Sequence, residues 1–375
     1  MNDAPPLPVE QRLRCAWISR GPLAFALLPL AALFGAIGAL RRSLYRWGWW
    51  RAQTLPVPVI VVGNLVAGGA GKTPTVMAIV RLLGRHGHLP GIVSRGYGRR
   101  SEACLEVQSG MLASECGDEP LLMYLRTGAP VVVGRDRVAA SHLLLERHPE
   151  VDVIVADDGL QHLRLARTAQ VLVFDERGVG NGWLLPAGPL REPLARVVPA
   201  RSVVLYNAPA VTTAWPGDVA QRSLAGVVPL AAWWQGQAAS MAALLALRGR
   251  PVVAAAGVAR PQRFFAMLRG AGLTVTPLPL PDHHGFATLP WAAATADVVL
   301  TEKDAVKIDP QRVGSTRVWV AALDFVLPEA FETALIALLP PGGHPPDGRP
   351  AHPPDNAPDN ASANPPGIAH GNALA

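Results

Sequence analysis

The stretch VVGNLVAGGAGKTPTVMAIVRLL, from Val61 to Leu83, leaves the chain little choice of fold, because it joins an apolar strand to an amphipathic helix through a glycine-rich loop. Gly68, Gly69 and Gly71 let the backbone curl so that successive N–H groups, that of Ala70 included, point at one anion, and the helix start adds its partial positive charge. Lys72 then reaches the outer phosphates of a nucleoside triphosphate, and Thr73 offers its hydroxyl to Mg²⁺. The usual pattern G-x-x-x-x-G-K-[ST] has a glycine where this chain carries Val66. A flexible turn is the plainer reading, but strand, Gly-Lys-Thr and helix together predict a phosphate loop.

Around this loop, short β-branched runs alternate with helical stretches, the pattern of a mostly parallel sheet covered by helices. Val59 to Val62, Gly91 to Ser94, Pro130 to Val133, Val153 to Ala156 and Val171 to Phe174 read as buried strands of a first domain. Ser202 to Leu205, Val252 to Ala256, Thr274 to Leu278, Val298 to Leu300 and Val318 to Ala321 read as strands of a second, smaller α/β domain, with helices over Gln262 to Arg269 and Glu329 to Leu339. The expected fold is therefore α/β and P-loop NTPase-like, with a phosphate-loop domain over 53–200 and a second domain over 201–340. From Pro340 the composition collapses into Pro, Gly, Asn, Asp and Ala, so residues 341–375 read as a disordered Pro-rich tail.

Ahead of the first strand, Gly21 to Leu40 runs twenty residues without a charge, with Arg20 before it and Arg41 and Arg42 after it. A spanning helix needs about 20 apolar residues, and Trp17, Tyr45, Trp47, Trp49 and Trp50 sit where interfacial aromatics belong. Pro29 and the glycines leave a span, a dip and a helix lying in the interface all open. Residues 1–52 are thus expected to form a membrane-associated segment in contact with lipid. Triphosphate chemistry orients it, because ATP is available on the cytoplasmic face.

The strand in VDVIVADDGLQH ends in Asp157 and Asp158. Ligands of open α/β sheets bind beyond the carboxyl ends of the strands, so this acidic pair faces the same crevice as the phosphate loop and is expected to hold Mg²⁺. Asp-Gly is also a common turn, and spacing cannot say which aspartate is the inner ligand. A third acidic group, Asp118 with Glu119, stands before Pro120 and an apolar run, where helix capping explains it completely.

A formal charge of +6 on 375 residues, with Arg exceeding Lys, suits phosphorylated partners of many kinds. No run of Lys and Arg interleaved with stacking aromatics supports nucleic-acid binding, and no protein partner is evident. Cys15, Cys104 and Cys116 have neither zinc nor redox spacing and read as reduced thiols. The main rival to an enzyme is a membrane-anchored P-loop ATPase or GTPase switch. Guanine reading wants N-K-x-D, whereas Thr301, Glu302, Lys303 and Asp304 set Lys and Asp side by side.

The order and wording of these segments resemble the tetraacyldisaccharide 4'-kinases of lipid A assembly. The resemblance also takes in SRGYGR at 94–99, GRDR at 134–137, NGWLLPAGPLREP at 181–193, DHHGF at 282–286 and TEKDAVK at 301–307. Absence of the first loop glycine belongs to the same likeness. It implies transfer of the γ-phosphate of ATP to the 4'-hydroxyl of a tetraacylated disaccharide 1-phosphate at the inner membrane. It also implies Asp118 as base with His283 as its partner, and Glu119 in the outer shell of a metal held by Thr73, Asp157 and Asp158. Because His283 lies in the second domain, the dyad is expected to assemble when the two domains close. Arg191 is the candidate to neutralise phosphate charge, Arg95 and Arg135 are lesser ones, and Tyr97 frames the substrate site.

Overall fold

In the computed structural model, which describes residues 13, 15–99 and 101–340, the strand before the phosphate loop, β1 (Val59–Gly63), is buried at every position. It lies between β5 (Val153–Asp157) and β6 (Ala169–Asp175), both parallel to it. Such near-continuous apolar strands form because helices cover both faces of a parallel sheet and neither side of the strand meets water. The sheet is completed by β2 (Pro90–Ser94), β3 (Leu105–Glu106), β4 (Val131–Val133), β7 (Ser202–Asn207) and β8 (Asp218–Val219), in the order β3-β4-β2-β5-β1-β6-β7-β8. Only β3 runs antiparallel to its neighbour.

A second sheet has the order β11-β10-β12-β13-β9, with β9 (Gln221–Pro229), β10 (Pro251–Ala256), β11 (Thr274–Pro279), β12 (Asp297–Thr301) and β13 (Arg317–Val326). Here β9 is antiparallel to β13 and the rest are parallel. Sequence reading assigned Ser202 to Leu205 to this second set. Instead β7 pairs with β6 from Gln170↔Ser202 to Asp175↔Asn207 and extends the first sheet. A buried strand says in its residues that it has neighbours on both sides, not which ones. The antiparallel β9 went unread because its outer half, from Gln221 to Ala225, is polar and only partly covered.

Both sheets belong to one compact unit. Phe331 and Leu335, on the helix Glu329–Ile336, are fully buried in the same apolar cluster as Leu205 of β7 and Val228 of β9. Ion pairs cross between the halves as well: Arg126 to Glu302 at 2.8 Å and Arg260 to Asp175 at 2.5 Å. The tail expected over 341–375, like the first residues of the chain, lies outside the described residues.

Before the sheets stands a 19-residue helix, Leu28–Arg46, of which only Ala31 is buried. Leu30, Leu33, Phe34, Ile37 and Leu40 recur at helical spacing and are all exposed, as are Trp47, Trp49 and Trp50. Among the described residues no helix is long and apolar enough to cross a membrane. The segment is held instead by the loop 181–193. Trp17 Nε1 donates to the Pro186 carbonyl at 2.9 Å, Asn181 Nδ2 donates to the Ala16 carbonyl at 3.1 Å, and Phe25 meets the Trp183 ring edge-on.

Candidate active site

Pairing of Val62 with Asp157 puts the end of β5 beside the point where β1 turns into the phosphate loop. The loop closes at Gly71, whose φ of +84° lies in the left-handed region, and a side chain there would also run into the Asn207 amide. Helix Lys72–Arg85 starts immediately after, so Lys72 and Thr73 occupy its first turn and line a cleft of about 1180 Å³. Gly68, Gly69, Gly71, Ser94, Arg95, Tyr97, Asp118, Glu119, Asp157, Asp158, Arg191 and His283 line the same cleft. Almost every expected site residue is thereby gathered. Ala70 does not line it: its side chain is buried below the loop, and its carbonyl accepts from Asn207 Nδ2 at 3.1 Å. Arg135 does not reach the cleft, because it extends into solvent to meet Glu102 at 3.2 Å.

The two aspartates after β5 have separate surroundings. Asp158, held at φ +49°, accepts from Arg191 Nη1 at 3.0 Å and lies 3.4 Å from Lys72 Nζ. Burial works to raise its carboxyl, but Lys72 and Arg191 outweigh that and hold it below the ordinary range. Asp157 is 3 % exposed; Ser94 donates to Oδ2 at 2.9 Å, and Oδ1 is buried with no partner. Burial, seconded by the negative charge of Glu119, pushes its carboxyl up to about 6. A buried carboxylate oxygen without a donor beside a phosphate loop fits a cation as its missing partner.

Two of the residues expected at or around the metal, Asp158 and Glu119, are held by cationic side chains. Glu119 accepts from Lys303 Nζ at 3.0 Å, Asp158 is taken up by Lys72 and Arg191, and among the described residues no group of three His, Cys, Asp or Glu side chains could hold a metal ion. Mg²⁺ needs no such cage, because it commonly keeps its waters and one or two carboxylates and takes further oxygens from substrate phosphates.

Asp118 opens the helix Asp118–Thr127 behind Gly117. Its Oδ1 accepts from the Glu119 N–H at 2.9 Å as a helix-start carboxylate does, while Oδ2 accepts from His283 Nδ1 at 2.9 Å. His283 arrives from the loop after β11, at φ +60°, with the Tyr97 ring 5.4 Å from its own. Burial alone would raise the Asp118 carboxyl; the His283 hydrogen bond and the charges of Lys303 and Lys307 hold it below the usual range. That same hydrogen bond raises His283, against burial and Lys303.

Three supporting residues escaped sequence reasoning. Lys303 reaches Glu119 and stands 3.5 Å from His283 Nε2, and Lys307 lies 3.9 Å from Asp118 while pairing with the buried Asp304 at 3.1 Å. Gln161 donates to Glu192 at 3.1 Å and accepts from Arg191 at 3.2 Å. The lysines stand just past a strand end, which was a usable signal; nothing local marks Gln161.

The arrangement provides an anion cradle with a lysine, a bare carboxylate for a cation, and a hydrogen-bonded Asp–His pair across the cleft, which are the parts of a phosphoryl transfer to a hydroxyl. Among families, the model described as Tetraacyldisaccharide-1-P 4'-kinase matches residues 23–340. The chain is 57 % identical over 333 residues to the tetraacyldisaccharide 4'-kinase of Leptothrix cholodnii, covering 88 % of this chain and 96 % of that one. With the enzyme of the same name from Herminiimonas arsenicoxydans it shares 47 % over 345 residues, again 88 % and 96 % of the two chains. Its fold is similar to the crystal structure of "apo" LpxK from Aquifex aeolicus in complex with ATP, with a TM-score of 0.69 and 28 % identity over 84 % of this chain and 99 % of that chain.

Proposed function

The chain belongs to the tetraacyldisaccharide-1-P 4'-kinase family, and from that premise we propose how its residues divide the work of the reaction. The enzyme transfers the γ-phosphate of ATP to the 4'-hydroxyl of tetraacyldisaccharide 1-phosphate, forming lipid IVA in lipid A synthesis. In the step itself the bond from the 4'-oxygen to the γ-phosphorus forms as the bond to the β,γ-bridging oxygen breaks, ADP departs, and the hydroxyl proton must be taken up.

Asp118 takes that proton, and His283 orients and stabilises it. The observation that carries this reading is the 2.9 Å hydrogen bond joining them, which spans 165 positions of sequence and sits on the cleft wall. A carboxylate held below its usual range is ionised at neutral pH and able to accept. Lys72 and the N–H groups of the loop bind the β- and γ-phosphates, with Arg191 as a second cation where charge accumulates. Until phosphate arrives, Asp158 keeps both cations in place.

Asp157 is the carboxylate we assign to Mg²⁺, with the Thr73 hydroxyl of the same cleft as a second oxygen, and the ion would supply charge neutralisation on the phosphates. Glu119 acts one layer out, through Lys303. The exposed apolar stripe of Leu28–Arg46 rests on the inner membrane at its cytoplasmic face, where the lipid substrate and ATP meet.

The test is a transfer assay with γ-labelled ATP, Mg²⁺ and detergent-dispersed lipid substrate, in which Lys72→Ala and Asp118→Ala each abolish label on the lipid. Near-normal turnover by Asp118→Ala removes it from the proton-accepting role.

A further inference from the structure

One arginine of the cleft, Arg222, stands without an anion among the described residues. Arg222 lies on β9, in the half of the protein opposite the phosphate loop, and lines the cleft beside Gly71 and Asn207. A side-chain carbon placed on Gly71 would stand 3.4 Å from Arg222 Nη2, so the guanidinium lies against the loop itself. Among the described residues no carboxylate pairs with it, Nε is buried without a hydrogen-bond partner, and the guanidinium rests over the Phe325 ring at 5.9 Å. Burial draws its pKa down, as expected of a cation removed from water with no anion beside it. Three other arginines of the cleft wall are engaged, Arg191 with Asp158, Arg126 with Glu302 and Arg260 with Asp175, and Arg95 is exposed to water.

A half-buried guanidinium has given up part of its water, and without an anion nothing replaces it. The phosphate loop is also short of one backbone donor. Residue 74 is proline, so the third position of the helix has no N–H to offer a phosphate, whereas Lys72 and Thr73 have theirs. We propose that Arg222 is a nucleotide-binding residue contributed by the second sheet, its guanidinium donating to phosphate oxygens of ATP from the side opposite Lys72. It thereby couples nucleotide binding to the seating of the two sheets on each other. The inference rests on the reading of the Lys72 loop as the ATP site.

The experiment measures equilibrium binding of MgATP, without lipid, to wild type, Arg222→Met, Arg222→Lys and Lys72→Ala, together with KM values for both substrates. Arg222→Met is expected to weaken ATP binding by about 10- to 100-fold, the scale of a lost charge-assisted contact. Arg222→Lys should recover part of that, and the KM for lipid should not change. Melting without nucleotide should not fall in Arg222→Met, because a half-buried charge without a counter-ion has been removed, while the rise in melting temperature on adding ATP should shrink. Unchanged ATP affinity in Arg222→Met overturns the proposal, as does a defect confined to the KM for lipid, which would put the guanidinium on the substrate phosphate. If Lys72→Ala also bound ATP normally, the reading of the loop itself would fall.

Discussion

Replacing His283 by alanine tests the dyad most sharply, because the structure dictates both a rate and a pH effect. His283 donates to Asp118 at 2.9 Å, and Asp118 is 7 % exposed, so the hydrogen bond is charge-assisted and shielded from water. Such a bond is worth about 1.5–3 kcal/mol, which sets a ceiling of roughly 10- to 150-fold on the fall in kcat, reached if the whole of its positioning effect on Asp118 is felt in the transition state. Asp118→Ala removes the proton acceptor itself and should cost about 10²–10⁴-fold. In Asp118→Ala/His283→Ala the histidine has nothing left to act upon, so the double variant should match Asp118→Ala alone, and the coupling energy should equal the whole single effect of His283→Ala. The pH profile gives an independent readout. Without His283, burial opposes only Lys303 and Lys307 at Asp118, so its carboxyl rises and the acid limb of kcat shifts to higher pH. Single-turnover transfer measured from pH 4 to 8 supplies both quantities. Independent, multiplicative losses with an unmoved acid limb would refute the dyad.

Asp157 carries a linkage prediction. Its carboxyl sits near 6 in the folded protein against 3.8 for an ordinary aspartate, so between those values the folded state binds more protons than the unfolded one and stability falls as pH rises. Chemical denaturation without Mg²⁺ should show a loss of at most about 3 kcal/mol across that window, and Asp157→Asn should abolish both the slope and the stabilisation by Mg²⁺. Gly71→Ala, which meets the Asn207 amide at φ +84°, should lose about 1–3 kcal/mol of stability and most ATP binding, as read by melting with and without nucleotide. Introducing aspartate at Leu33 and Ile37, both on the exposed stripe, should release the protein from anionic liposomes in a flotation assay while sparing turnover on detergent-dispersed substrate. Equal flotation of that variant would show that the stripe does not carry the membrane contact.

How much of this was legible beforehand depended on how local each cause is. The phosphate loop, the helix after it and the aspartates ending β5 are written in a few consecutive residues, because backbone curvature, helix start and strand burial are decided within about ten positions. The same holds for most strands. Partnership is different: Ser202 to Leu205 reads equally well in either sheet, and only its pairing with β6 decides the matter. Residues alone give Asp118 as a helix-start carboxylate and His283 as a loop histidine; their meeting depends on the second sheet packing against the first. Arg222 and Gln161 have no local signature at all. Nor could composition assign roles to Asp157 and Asp158, which are adjacent in sequence. The backbone turn at Asp158 sends one carboxylate to Lys72 and Arg191 and leaves the other buried with a bare oxygen. What the sequence by itself determined is thus the set of chemical groups and the elements that bear them. Which groups share a charge, a proton or a phosphate is a matter of distances across the cleft, and those follow from packing, which joins residues far apart in the chain.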